Sequence, residues 1–99
     1  MFKAIILSSA QQDIREAANW YNSQEKGLGI KLRSAIKQKV KFIKSEPYAT
    51  ATRYDEIKTA VLDIFPFMIH YNIDETKNVI YILAVLHTSR NTNIWKNKR

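Results

Sequence analysis

The segment L-H-T-S-R-N at 86–91 sets His87 and Arg90 three residues apart. An imidazole exchanges protons near neutral pH, and a guanidinium clamps a phosphate with two donors. Those are the two groups that attack of a ribose 2′-hydroxyl on its neighbouring phosphate requires, one moving a proton and the other stabilising the developing charge. A complete site adds a second acid–base group, for which Tyr54, Glu56, Lys58 and His70 are the candidates. The plainer alternative has His87 packed at a strand end and Arg90 paired with a carboxylate; the spacing leaves both open. Tyr54, Glu56 and Lys58 fall on one face of an expected strand, which suits either stacking and ion pairing along a phosphate backbone or a solvated edge. His70, between Ile69 and Tyr71, reads as a satisfied histidine within a sheet rather than a ligand. With two His, nine Asp and Glu and no Cys, no metal site and no cofactor are expected, and disulfides and thiolate chemistry are excluded.

Charge narrows the class of partner. Sixteen Lys and Arg give a formal net charge of +7 over 99 residues. Between Lys26 and Lys44 stand Lys26, Lys31, Arg33, Lys37, Lys39, Lys41 and Lys44 without one acid, and the last ten residues add Arg90, Lys96, Lys98 and Arg99. Two acid-free basic clusters point to an anionic partner, either nucleic acid or an acidic protein. No recognition helix, RNP-like aromatic pattern or zinc-finger spacing accompanies them, so none of the common nucleic-acid modules is indicated.

The elements that must position these residues follow from periodicity. Phe2–Leu7 reads as a strand. Ser9 and Gln12 have the spacing of a capping box, and Ile14, Ala17, Ala18 and Tyr21 recur on one face of a helix expected from about Ala10 to Gln24. Trp20 and Tyr21 are expected to anchor that helix on the sheet. Gly27 and Gly29, the two glycines of the chain, mark a tight turn into a second helix whose face is Leu28, Leu32, Ala35, Ile36, Val40 and Ile43 and which Glu46–Pro47 ends. Strands are expected over Arg53–Leu62, Phe65–Ile73 and Val79–His87, the last two joined by the polar turn 74–78 and therefore antiparallel. In the last strand Ile80, Ile82 and Ala84 alternate with Tyr81, Leu83 and Val85; both sets are largely apolar, as in a central strand buried on two sides. The expected fold is α+β: an N-terminal strand, a helical hairpin and a three-stranded antiparallel meander, with the helices on one face of a twisted four-stranded sheet. Residues 1–99 make a single domain, with 91–99 a basic C-terminal tail. The apolar runs Ala4–Leu7 and Val79–Leu86 fall short of the roughly 18 residues that a membrane span needs, so a soluble, cytoplasmic protein without membrane contact is expected.

Several segments taken together resemble the RelE/ParE superfamily of type II toxins: A-Q-Q-D-I-R-E-A-A-N-W-Y at 10–21, G-L-G at 27–29, Tyr54, F-P-F-M-I-H-Y at 65–71, I-L-A-V-L-H-T-S-R-N at 82–91 and Trp95. The resemblance implies a small toxin neutralised by a cognate antitoxin protein. It also implies one of two targets, DNA gyrase for the ParE-like branch or the ribosome with its mRNA for the RelE-like branch, which is a ribosome-dependent endoribonuclease. Phe65-Pro66-Phe67 and the His87-x-x-Arg90 ending resemble the ParE branch and its plasmid-stabilisation relatives. No tyrosine follows His87, and Lys58 stands largely alone on the middle strands; both features set the chain apart from the RNA-cleaving branch. Under that resemblance Tyr54, Lys58, His87, Arg90, Trp95, Lys96 and Lys98 are expected to face the target. Lys31, Arg33, Lys37 and Lys41 are expected to meet an acidic antitoxin. If the chain is instead a ribonuclease, His87, Arg90 and Lys58 are the catalytic candidates. A small basic interaction module without toxicity is the further alternative.

Overall fold

Alternating exposure over Lys3–Ile6 makes the first strand, β1, with Ala4 and Ile6 turned to the core. The chain is described by a computed structural model over residues 2–50, 52–54 and 56–89. Two helices follow, α1 (Ser8–Gln24) and α2 (Leu28–Ser45), and then strands β2 (Thr52–Tyr54), β3 (Ile57–Val61), β4 (Phe67–Asp74) and β5 (Val79–His87). The sheet order is β1-β5-β4-β3-β2, with β1 parallel to β5 and the other neighbours antiparallel. The expected architecture of a helical hairpin on one sheet face is thus the one observed. The expected four strands are β1, β5, β4 and β3. The segment read as a single strand over 53–62 folds back at Glu56, in the left-handed region at φ 63°, so that β2 is added as a short outer strand. The sheet is mixed because the helical hairpin carries the chain over one face and lets β1 lie alongside β5 in the same direction.

Ala10, Ile14 and Ala18 of α1 and Leu32, Ile36, Val40 and Ile43 of α2 bury one face against Ile69, Tyr71, Ile80, Ile82 and Val85 of the sheet. The two helices approach closely at Gly29, where a Cβ would collide with the Ala18 carbonyl oxygen and the Asn22 side chain. The Gly29 amide instead donates to Asn22 Oδ1 at 2.7 Å, and Gly27 enters α2 at φ 91°, a conformation glycine adopts without a Cβ penalty.

Two local expectations change. The capping box does not form: α1 begins at Ser8 with Leu7 as its cap, and the Ser9 hydroxyl donates to the Leu83 carbonyl oxygen at 2.9 Å. β1 ends at Ile6 opposite Ile82, so β5 beyond that point has no strand on this side. Side chains of α1 take its place, Ser9 at Leu83 and Asp13 Oδ2 accepting from the Val85 amide at 3.0 Å. The second change is a bulge. His70 pairs with Ala84 and Tyr71 with Ile82, leaving Leu83 unmatched and reversing the alternation of β5. Val85 therefore joins Ile80 and Ile82 on the helix side, while Leu86 packs with Met68, Ala84 and Tyr54 in a small cluster on the other side.

Candidate functional site

The residues singled out for chemistry occupy three separate places. Lys58 pairs with Tyr71 and so shares its face, beneath the connector that leaves α2. Its Nζ donates to the Thr50 carbonyl oxygen at 2.8 Å and lies 5.7 Å from the centre of the Tyr48 ring. The Tyr71 hydroxyl donates to the Pro47 carbonyl oxygen at 2.9 Å and meets Thr50 Oγ1 at 2.7 Å. Lys58 and Tyr71 thus tie down residues 47–50. Burial pushes the Tyr71 phenol above its ordinary range, partly offset by the Thr50 hydroxyl. The Tyr48 phenol moves the same way, first through lost hydration and then through the Glu75 carboxylate.

Tyr54 lies on the opposite sheet face. Its hydroxyl is 3.4 Å from His70 Nδ1, and the rings meet edge to face. His70 is 1% exposed, which agrees with a histidine held within the sheet. Glu56 occupies the turn between β2 and β3, so Tyr54, Glu56 and Lys58 do not share a face. The period-2 reading fails there because the chain reverses between Tyr54 and Ile57.

His87 stands at the end of β5, opposite Phe67, with the two rings 5.3 Å apart. It lines a cleft of about 210 Å³ together with Asp13, Glu16 and Ala17 of α1. The partners of Lys58 and His87, Tyr71 and Phe67, are four residues apart on β4, a span of about 13 Å. The His87 Nδ1 accepts a hydrogen bond from the Ser89 amide at 3.1 Å, so the neutral ring carries its proton on Nε2 and presents a donor. Among the described residues no group of three or more His, Asp and Glu side chains could hold a metal ion. Arg90, Trp95, Lys96 and Lys98, with the tail 91–99, lie outside the described residues.

An open concave surface lies between α2 and the segment 63–66. Leu62 donates its amide to Phe67 O, and Phe67 to Phe65 O, so Pro66 sits at the tip of a tight turn and Phe65 points inward against Tyr21. The groove, of about 600 Å³, has Tyr21, Leu28, Ala35, Ile64 and Phe65 as its apolar surface and Lys31, Ser34 and Gln38 along α2. It continues past Ala35 and Ile64 towards Lys39, Phe42 and Asp63. Ile64 is 86% exposed. Of the lysines and arginine expected to meet an antitoxin, Arg33, Lys37 and Lys41 stand one turn apart in an exposed stripe, while Lys31 belongs to the groove. Tyr21 anchors α1 on Phe65 and Phe67 as expected, but Trp20 is 58% exposed and packs on the edge of Tyr21 rather than on the sheet. Sequence reasoning missed Lys39 and Ile64. The spacing of Lys31, Ala35, Gln38, Lys39 and Phe42 at helical intervals carried the signal for the first, whereas nothing in the sequence distinguished Ile64 from a buried neighbour of Phe65.

A family model described as the ParE toxin of the type II toxin–antitoxin system, parDE, matches residues 4–92. No curated protein matches the chain in sequence. Among solved structures, the chain is similar to one from a chromosomal ParDE toxin–antitoxin system of P. aeruginosa, with a TM-score of 0.78, 18% identity and coverage of 90% of this chain and 98% of that one. It is also similar to the isolated RelE toxin of E. coli, with a TM-score of 0.68, 14% identity and coverage of 99% and 96%. A third similarity is to the intact E. coli RelBE toxin–antitoxin complex, with a TM-score of 0.68, 16% identity and coverage of 91% and 100%.

Proposed function

Because the chain belongs to the ParE toxin family of type II toxin–antitoxin systems, we propose that it acts by binding, as an inhibitor of DNA gyrase neutralised by a cognate antitoxin. The observation that carries this reading is the dispersal of three acid–base candidates among the described residues, Tyr54, Lys58 and His87. Lys58 is engaged by Thr50 on one face, Tyr54 by His70 on the other, and His87 stands at the far end of β5 with Nδ1 already accepting from Ser89. General acid–base cleavage of RNA needs two proton-carrying groups within reach of one phosphate, and these three share no such point. A surface that works by shape and charge needs no convergence. His87 and, outside the described residues, Arg90, Trp95, Lys96 and Lys98 are the target-facing residues of this reading. Tyr54 and Lys58, engaged by His70 and Thr50, are not part of the target-facing set in this reading.

The antitoxin of this proposal is an acidic segment that orders on binding, laid across the exposed stripe Arg33, Lys37 and Lys41 with apolar side chains in the groove beside Lys31. A net charge of +7 favours such a partner over a second copy of the chain. The test is a supercoiling assay with purified gyrase run beside in-vitro translation whose mRNA is mapped by primer extension. The expected result is lost supercoiling with intact mRNA. New mRNA ends at ribosomal A-site codons with gyrase unaffected would overturn the reading in favour of a ribosome-dependent endoribonuclease. Loss of neither activity would leave a non-toxic basic module.

A further inference from the structure

Where the groove beside α2 reaches its far end, an ion pair crosses it. Lys39 Nζ on α2 is 3.5 Å from Asp63 Oδ1 on the opposite wall. The two partners are held very differently. The Lys39 side chain is 19% exposed, and its ammonium lies 5.4 Å from the centre of the Phe42 ring, whereas the Asp63 side chain is 88% exposed. Charge-assisted N–H···O bonds settle at about 2.7–2.9 Å, so this pair falls short of a close hydrogen bond. An ammonium also carries three donors. Lys39 is therefore a cation positioned by its own helix and only loosely satisfied by a solvated carboxylate. Asp63 is the one acid that lines either stretch of the groove among the described residues. On both sides of the pair are exposed apolar groups, Phe42 at 43% and Ile64 at 86%.

We propose that Lys39 is the reading point for a carboxylate on an acidic amphipathic helix, and that Asp63 is a built-in competitor which this carboxylate displaces. The inference rests on the reading that the chain is held by an acidic antitoxin. An apolar side chain of the incoming helix covers Ile64 and Phe42, and a Glu or Asp one turn away on the same face takes over the ammonium. The exchange makes recognition selective. An apolar helix without the acid leaves the Lys39–Asp63 pair standing across its path. A second copy of this chain is a poor occupant, because it brings another +7 and an α2 rich in Lys and Arg.

The experiment is titration of the purified chain and its variants with the full-length antitoxin, followed by calorimetry, with thermal melts to establish that each variant folds. Asp63→Asn removes the competitor and should tighten binding about fivefold, within the range of exposed charge pairs. Lys39→Met keeps the stem against Phe42 and should weaken binding about tenfold. In the double variant the gain from Asp63→Asn should vanish, because that gain depends on the freed ammonium. Lys39→Arg should stay within about threefold of the parent, since it restores a cation at the same place. If the parent binds the antitoxin while Asp63→Asn and Lys39→Met both change affinity less than about twofold, the exchange is wrong and the antitoxin reading stands. If Asp63→Asn weakens binding, Asp63 is a contact and not a competitor, which also overturns the proposal. If the folded parent does not bind the antitoxin at all, the antitoxin reading falls, and the exchange with it.

Discussion

Lys58 Nζ donates to the carbonyl oxygen of Thr50 at 2.8 Å, and its ammonium sits beside the face of Tyr48. A lysine that looks available for a phosphate in the sequence is thus part of the clamp that fixes the chain between α2 and β2. The bond is charge-assisted, and removing it strands a half-buried carbonyl. Lys58→Met should lower stability by about 1–2 kcal/mol, a fall in Tm of several degrees for a domain of this size. Urea denaturation checks it. In the supercoiling assay the folded variant should match the parent when compared at equal folded fraction, which a target-contacting lysine would not do.

Asp13 Oδ2 accepts from the Val85 amide at 3.0 Å, at the stretch of β5 where β1 has already turned away. Asp13→Ala leaves that amide without this acceptor and should cost about 1–2 kcal/mol. Asp13→Asn keeps a carbonyl oxygen at the same place and should cost less. Amide hydrogen exchange separates this role from a general loss of stability. Val85 should lose protection in Asp13→Ala to a greater degree than Ile80 and Ile82, which keep β1 as their neighbour.

Much of this architecture is legible in the sequence, and each failure has its own physical cause. The bounds of β5, the apolar faces of α1 and α2, and the polar turn expected over 74–78 and found at 75–78 follow from patterns local to each segment. Two of the failures are places where a backbone group from elsewhere competes for a side chain. Ser9 has the spacing of a capping box, but the open Leu83 carbonyl claims its hydroxyl. Lys58 has the look of a surface residue, but the Thr50 carbonyl turns it inwards. The bulge at Leu83 could not be placed because its neighbours on both faces are apolar, so hydropathy does not report the reversal of alternation. The candidate site suffered most from the fold-back at Glu56, which parts Tyr54 from Lys58 although four positions separate them in a pattern that reads as one strand.

The Tyr71 hydroxyl donates to the Pro47 carbonyl oxygen at 2.9 Å, which requires the phenol to keep its proton. Burial raises its pKa above the ordinary value of 10.0. The folded state therefore holds this proton after the unfolded state has released it. Its contribution to stability is full below the unfolded pKa and is lost as pH rises from there through the folded pKa. Tyr71→Phe should cost about 1–2 kcal/mol at neutral pH through the lost bond. The gap between parent and variant should then narrow above pH 10, because only the parent carries this titrating group. Denaturant melts of both proteins across that range isolate the effect from titration of the lysines, which the two share.

Ile64 is 86% exposed at the rim of the groove beside α2, next to a proline turn that fixes its position. Such a residue adds little to the core, so Ile64→Lys should change stability by no more than about 0.5 kcal/mol. If the groove receives the apolar face of an antitoxin, the same change should be severe for binding. It removes an apolar contact from the interface and places a cation beside Lys39, though that cation also lies near Asp63. Loss of one such apolar contact on binding costs about 1–3 kcal/mol, or tenfold and more in affinity. Co-purification with the antitoxin, combined with a thermal melt of the free variant, reads both quantities at once. A variant that melts like the parent but fails to retain the antitoxin locates the interface at the groove. One that retains it at parental affinity confines antitoxin recognition to the Arg33, Lys37 and Lys41 stripe, where electrostatics alone would have to supply the affinity and binding would weaken steeply with salt.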